Sequence, residues 1–217
     1  MNIEHSLASK LLSIKAIKLS PGDPFVWASG LRSPIYCDNR ISLSHPEVRT
    51  IIKNGFVKAI SDHGYSPDAI VGVATAGIPH GALLADALEL PFAYVRSKAK
   101  EHGRQNQIEG ELREGMKVIL TEDLISTGGS ALKVVTVLRE LNIEVLNVFS
   151  IFTYNLGEAS ENFSKENCTY HSLTNYPSLL EFAKSSGYLK NNEYDTLKKW
   201  YLSPQVWSEQ YLQQNKI

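Results

Sequence analysis

A chain of 217 residues, 43% hydrophobic and with a formal net charge of −1, is long enough to bury one substantial core and has an ordinary globular composition. The near-zero charge gives no electrostatic basis for binding nucleic acid or a membrane surface, and no apolar run approaches the length of a bilayer span. Met1 to Lys10 is polar and does not read as a signal peptide, while Cys37 and Cys168 form no CxxC pair and are expected as free thiols in the cytoplasm.

In chain order, Leu7, Leu11, Leu12 and Ile14 recur at helical spacing and predict a helix within residues 3–17. Pro21-Gly22-Asp23-Pro24 is a turn and Phe25-Val26-Trp27 a strand. Ser29-Gly30 then closes an antiparallel hairpin that leads on through Tyr36, Cys37, Asp38, Asn39 and Arg40. Taken by itself, this hairpin needs no function, with Arg32 and Arg40 in solvent. Ser44-His45-Pro46-Glu47 reads as a capping box with an early proline. The helix it starts carries Val48, Ile51, Ile52, Phe56 and Ile60 on one stripe, and Gly64 closes it. Residues 68–73 form a buried strand that runs into the small-residue turn Ala74-Thr75-Ala76-Gly77. A helix follows through Leu83, Leu84, Ala87 and Leu88, and then a short strand over residues 90–95.

The next stretch is basic. From Arg96 to Arg104 four Lys or Arg residues stand against one Glu, and there is almost nothing apolar to bury. Such a run is commonly a solvated loop. Placed between two strands of a parallel sheet, at the edge where open α/β sheets bind ligands, it suits an anionic leaving group whose charge grows as a bond breaks.

Residues 117–138 (KVILTEDLISTGGSALKVVTVL) carry the most specific signal. An apolar strand, Val118-Ile119-Leu120, leads to the acids Glu122 and Asp123. The hydroxyl-rich turn Ser126-Thr127-Gly128-Gly129-Ser130 follows, and then a helix with Ala131, Val134, Val135, Leu138 and Leu141 on one face. Backbone N–H groups in such a turn, with the positive end of the helix dipole, make a phosphate site. Two carboxylates beside a phosphate site imply a ligand with hydroxyls, a metal or a developing positive centre, as a phosphorylated sugar has. Adjacent strand residues alternate in direction, so the two acids are expected in different roles. The pattern lacks the Walker lysine and the Rossmann glycine spacing.

The stretch from Val118 to Ala131 resembles the 5-phosphoribosyl 1-pyrophosphate (PRPP) signature of the type I phosphoribosyltransferases. The whole chain is similar to the short bacterial orotate phosphoribosyltransferases. The resemblance implies an α/β fold, with a mostly parallel central sheet flanked by helices, in one domain spanning residues 1–217. A small hood over the site would come from residues 20–42 and about 165–175. It implies transfer of the phosphoribosyl group from PRPP to orotate, giving orotidine 5'-monophosphate and pyrophosphate in pyrimidine biosynthesis, with Mg²⁺ bound through PRPP and no metal ligands on the protein.

By the same resemblance Leu124, Ile125, Ser126, Thr127, Gly128, Gly129 and Ser130 hold the sugar phosphate. Glu122 and Asp123 hold the ribose and stabilise an oxocarbenium-like transition state. Arg96, Lys100 and His102 contact the pyrophosphate, Lys100 being catalytic with the two acids. Tyr36, Arg40 and Ser126 face the orotate. The basic loop resembles one that reaches into a neighbouring subunit, which implies a homodimer.

Three positions depart from other orotate enzymes. Ala28 stands where some carry a lysine, Thr75-Ala76-Gly77 offers no lysine, and Phe152-Thr153-Tyr154 offers no arginine. Arg40 is then left as the partner for the orotate carboxylate. A purine phosphoribosyltransferase would share the signature but not the Lys-Ala-Lys-Glu-His loop. A PRPP-sensing regulator would need a nucleic-acid surface, and none is evident. A structural α/β protein would not explain acids, phosphate turn and basic loop at one sheet edge.

Residues 144–152 read as the last main strand, and residues 153–165 as a loop with a short helix. Thr169 to Leu173 reads as a return to the hood. Further helices are expected from Pro177, near Asn191 and near Pro204, with Trp200 and Trp207 as packing anchors.

Overall fold

The computed structural model describes residues 3–27, 29–96 and 107–214. Helix α1 (Ile3–Ser13) is followed by four short strands, β1 (Ile17–Leu19), β2 (Phe25–Val26), β3 (Arg32–Ser33) and β4 (Ile35–Cys37). A 3-10 helix (Asn39–Ser44) leads into α2 (Pro46–Asp62). Then come β5 (Ala69–Val73), α3 (Gly77–Leu88), β6 (Phe92–Val95), β7 (Ile108–Glu109), β8 (Lys117–Ile125), α4 (Gly129–Glu140) and β9 (Glu144–Thr153). The chain ends with α5 (Gly157–Lys165), β10 (Tyr170–Asn175), α6 (Tyr176–Ser185), α7 (Asn191–Leu202) and α8 (Pro204–Gln214).

Among the described residues, six strands form the central sheet in the order β10-β9-β8-β5-β6-β7. All neighbours are parallel except β6 and β7. The parallel strands are buried on both faces, so they read as unbroken apolar runs rather than as alternating ones. Successive residues nevertheless serve opposite sides: Val118 and Leu120 of β8 join a core with α4 and α5, and Ile119 joins one with α1, α2 and α6. Strand order reverses between β5 and β8, the switch point at which open α/β sheets leave a crevice beyond the strands' carboxyl ends. Gly77 is required there: a Cβ would lie 2.2 Å from the Thr121 carbonyl oxygen of β8.

Three expectations are corrected. Thr169 to Leu173 does not return to the hood; β10 pairs with β9, Tyr170 opposite Val148 and Asn175 opposite Thr153. The physical reason is the crossover: α5 and its flanks supply the dozen or more residues that a parallel connection needs, so the next strand lands beside β9. Ser44 does not cap α2. The 3-10 helix continues through Ser44 and shifts the N-cap to His45, which has no side-chain cap bond, and Glu47 instead pairs with Lys10 of α1. Finally, the basic stretch does not join two parallel strands, because β7 runs back against β6 with Val95 opposite Ile108. Arg96 and Gln107, which flank it, therefore both stand at the sheet's carboxyl edge.

Candidate active site

β8 leaves the sheet after Ile125 and turns through Ser126, Thr127 and Gly128 into α4. Gly128 takes φ +83°, and a Cβ there would meet the Phe163 ring at 2.4 Å, so both backbone and packing demand glycine. No side chain caps α4, which leaves its first-turn N–H groups for a ligand. The Asn162 side chain of α5 donates to the Thr127 carbonyl at 3.0 Å and braces the turn. The resulting cleft, about 230 Å³, is lined by Glu122, by Leu124 through Ala131, and by Lys133. Lys133 was not singled out from sequence, although it is the fifth residue of the same helix. It and Ser130 also line an adjoining cleft with Arg96 and Gln107, so the structure places Arg96 beside the cradle but not in it. Arg96 faces Glu109 at 3.5 Å, and its N–H donates to the Gln107 carbonyl at 2.8 Å.

The two acids stand in different surroundings. Glu122 is 6% exposed and lines the cleft. Asp123 is half-buried on the other side, where its carbonyl accepts from the Asn39 side chain at 2.7 Å. Alternation separates their positions but not their charges. The Glu122 carboxylate folds back to accept the Asp123 N–H at 3.0 Å. Burial, and then the Asp123 charge, hold the Glu122 carboxyl well above the usual carboxylate range. Burial also raises Asp123, while hydrogen bonds and the nearby Arg40 pull it back.

A second pocket, about 460 Å³, is lined by Val26, Trp27, Ser29, Tyr36, Cys37, Leu124, Ser126 and Tyr154. It shares Leu124 and Ser126 with the cradle, so the two spaces adjoin. The structure brings Tyr36 and Ser126 together in its lining. Arg40 is not among its lining residues: it grips Asp38 by two hydrogen bonds, at 2.7 and 2.9 Å, and stays exposed. Asp38 caps the 3-10 helix at the Arg40 N–H, so the side chain two residues on falls within its reach. Trp27 and Tyr154 form an aromatic wall with ring centroids 4.9 Å apart, and the Trp27 indole donates to the Ile35 carbonyl at 3.1 Å. Neither was singled out from sequence. Tyr154 could have been found as the residue directly after a strand's carboxyl end. Lys100, His102 and Ala28 lie outside the described residues.

The phosphoribosyl transferase domain family matches residues 43–175. The orotate phosphoribosyltransferase of Streptococcus agalactiae is 51% identical over 207 residues, covering 95% of this chain and 99% of that protein. That of Listeria innocua is 49% identical over 209 residues, covering 96% and 100%. The chain belongs to the orotate phosphoribosyltransferase family. The crystal structure of orotate phosphoribosyltransferase from Aeropyrum pernix superposes with a TM-score of 0.73 at 28% identity, covering 85% of this chain and 99% of that one. The family-wide match contains the whole phosphate cradle but neither the β2–β3 hairpin nor α7 and α8. The phosphoribosyltransferase frame therefore ends where the second pocket's outer wall begins.

Proposed function

We propose that the chain transfers the 5-phosphoribosyl group of PRPP to orotate, releasing orotidine 5'-monophosphate and pyrophosphate, in pyrimidine nucleotide biosynthesis. The observation that carries this reading is that an anion cradle adjoins an aromatic-walled pocket, the two sharing Leu124 and Ser126, with a buried acid lining the cradle. A ribose 5-phosphate spans such a junction, phosphate at one end and anomeric carbon at the other.

In this reading the N–H groups and hydroxyls of residues 124–130 hold the 5-phosphate, with Lys133 adding positive charge. Glu122 and Asp123 accept from the ribose hydroxyls and stabilise the cationic sugar as the glycosidic bond opens. Arg96, Lys100 and His102 face the pyrophosphate, whose charge grows as it leaves. Trp27, Tyr36 and Tyr154 sandwich the pyrimidine. Orotate is acidic at its ring nitrogen, so no strong general base is required of the protein. Arg40 reaches the orotate carboxylate by swinging out of its pair with Asp38; an exposed pair of this kind holds it by only about 0–1 kcal/mol.

Glu122 lines the cleft and Asp123 lies on its other side, so the two do not chelate one ion; Mg²⁺ would be carried on the pyrophosphate of PRPP. Bound there, the ion neutralises charge on the pyrophosphate. The hood, formed by the hairpin and the 3-10 helix, covers the base. The enzyme works as a homodimer in which the basic loop of one subunit serves the site of the other. No helix among the described residues is long and apolar enough to cross a membrane.

A spectrophotometric assay with PRPP and Mg²⁺, offering orotate, adenine, hypoxanthine and uracil in parallel, tests the reading. Consumption of orotate alone is expected. Turnover of another base would overturn the assignment of the second pocket, and PRPP binding without turnover would favour a sensor.

A further inference from the structure

α7 and α8 supply no lining residue to the base pocket or the phosphate cradle, yet they touch both members of the pocket's aromatic wall or the segments that carry them. Trp200 of α7 is wholly buried. Its ring lies 5.7 Å from Trp27 and 6.0 Å from Tyr154, behind the pair that walls the pocket. The hydroxyl of Tyr201 donates to the Asn155 carbonyl at 2.9 Å, next to Tyr154. From α8, the hydroxyl of Ser208, 5% exposed, accepts the backbone N–H of Arg32 at 2.9 Å. Arg32 stands opposite Val26 in the hairpin, one residue before Trp27.

The hairpin needs such support. β2 and β3 form a two-stranded sheet of their own, two residues per strand, separate from the central sheet. A hairpin of that size has no independent stability in water, so the position of Trp27 is set by what the hairpin leans on. The cradle is different. It rests on β8, α4 and α5, and its core lies across the sheet from the one that holds Trp200.

We propose that α7 and α8 act as a brace that holds the aromatic wall of the base pocket in place, with Ser208 and Trp200 as positioning residues for base binding. The inference rests on the functional reading above, since it assigns a role within that same site. Without the Ser208 hydroxyl the Arg32 N–H loses its partner, the hairpin loosens, and Trp27 is no longer held in place against Tyr154.

Steady-state kinetics with orotate and PRPP varied separately test the proposal. In Ser208→Ala the KM for orotate is expected to rise about tenfold, the size of effect that follows an unpaired backbone donor, with the KM for PRPP within about twofold. Ser208→Thr, which restores a hydroxyl, returns the orotate KM toward wild type, and Glu209→Ala on the exposed face of α8 changes neither constant. Should Ser208→Ala fail to fold, Trp200→Phe decides by the same split. An unchanged orotate KM, or an equal rise in both constants, overturns the brace while orotate turnover by the wild type still stands. A wild-type chain inert toward orotate overturns the functional reading and the brace with it.

Discussion

The two halves of the site are built in opposite ways. The phosphate cradle is continuous in sequence: strand end, acids, turn and helix start all fall within residues 122–133. The base pocket draws on the β2–β3 hairpin, on Tyr36 and Cys37 of β4, on Leu124 and Ser126, and on Tyr154 beyond β9. A cradle of backbone N–H groups needs only a strand, a glycine turn and a helix, and one short segment can encode all three. A wall of side chains can be recruited from anywhere the fold brings the chain. The lesson is that anchoring and selection are separable here, and each can be damaged alone.

The largest effect is expected from the basic loop proposed to face the pyrophosphate. Lys100→Ala should slow turnover by roughly 10²–10³-fold, the range for losing one electrostatic donor. Mixing that variant with Glu122→Gln chains should recover part of the activity if the loop crosses between subunits; no recovery would rule out the shared site. Gly128→Val comes next. The left-handed backbone and the Phe163 ring both oppose a side chain there, so the turn must shift. We expect the KM for PRPP to rise by about 100-fold, in the range of a few kcal/mol for strain at such a position. An unchanged PRPP constant would show that the turn is not the anchor.

Damage to the base pocket should be smaller and should fall on the other substrate. Trp27→Ala should raise the KM for orotate roughly tenfold or more, as loss of one ring stacked on a base does. A matching rise for PRPP would mean that the two halves are not separable. Arg40→Ala should raise the orotate KM about fivefold, by loss of an exposed charge-assisted hydrogen bond. No change would remove Arg40 from the site and leave it as the partner of Asp38.

The smallest effect sharpens the comparison from the side of stability. Burial raises the Glu122 carboxyl in the folded chain above its ordinary value of 4.5. As pH rises past that value the unfolded chain releases this proton while the folded chain retains it, so folding stability falls. Glu122→Gln cannot titrate. Without ligand at pH 8 its Tm should exceed wild type by roughly 2–4 °C, the shift that about 1 kcal/mol gives a chain of this size. The gap should close below pH 4.5, and activity should be largely lost. Calorimetry showing no difference at pH 8 would mean that the acid is not held protonated.

Much of the architecture was legible in the sequence because it is locally encoded. The apolar runs of β5 and β8, the stripe of α2 and the glycine turn before α4 all announce themselves by spacing. Errors arose where a neighbour distant in sequence decided the outcome. Thr169 to Leu173 is β-prone under either reading, and only the crossover through α5 places it beside β9. Ser44 and Glu47 have the spacing of a capping box. The 3-10 helix claims Ser44, and Lys10 of α1 claims Glu47. The Arg40 pairing, by contrast, is local: Asp38, two residues before it, holds the guanidinium outside the pocket lining.

By itself, then, the sequence determined the chemistry of the anchor. The residues proposed to bind a phosphorylated sugar lie on one strand–turn–helix unit, and backbone geometry there follows from local steric rules. Only the tertiary structure decided what encloses the base. Trp27, Tyr36 and Tyr154 meet because a two-residue-per-strand hairpin is pressed against the end of β9. The side chains that hold it there, Trp200 and Ser208, come from the far end of the chain. Contacts between segments so far apart depend on how whole elements pack, and no local pattern of residue types records that.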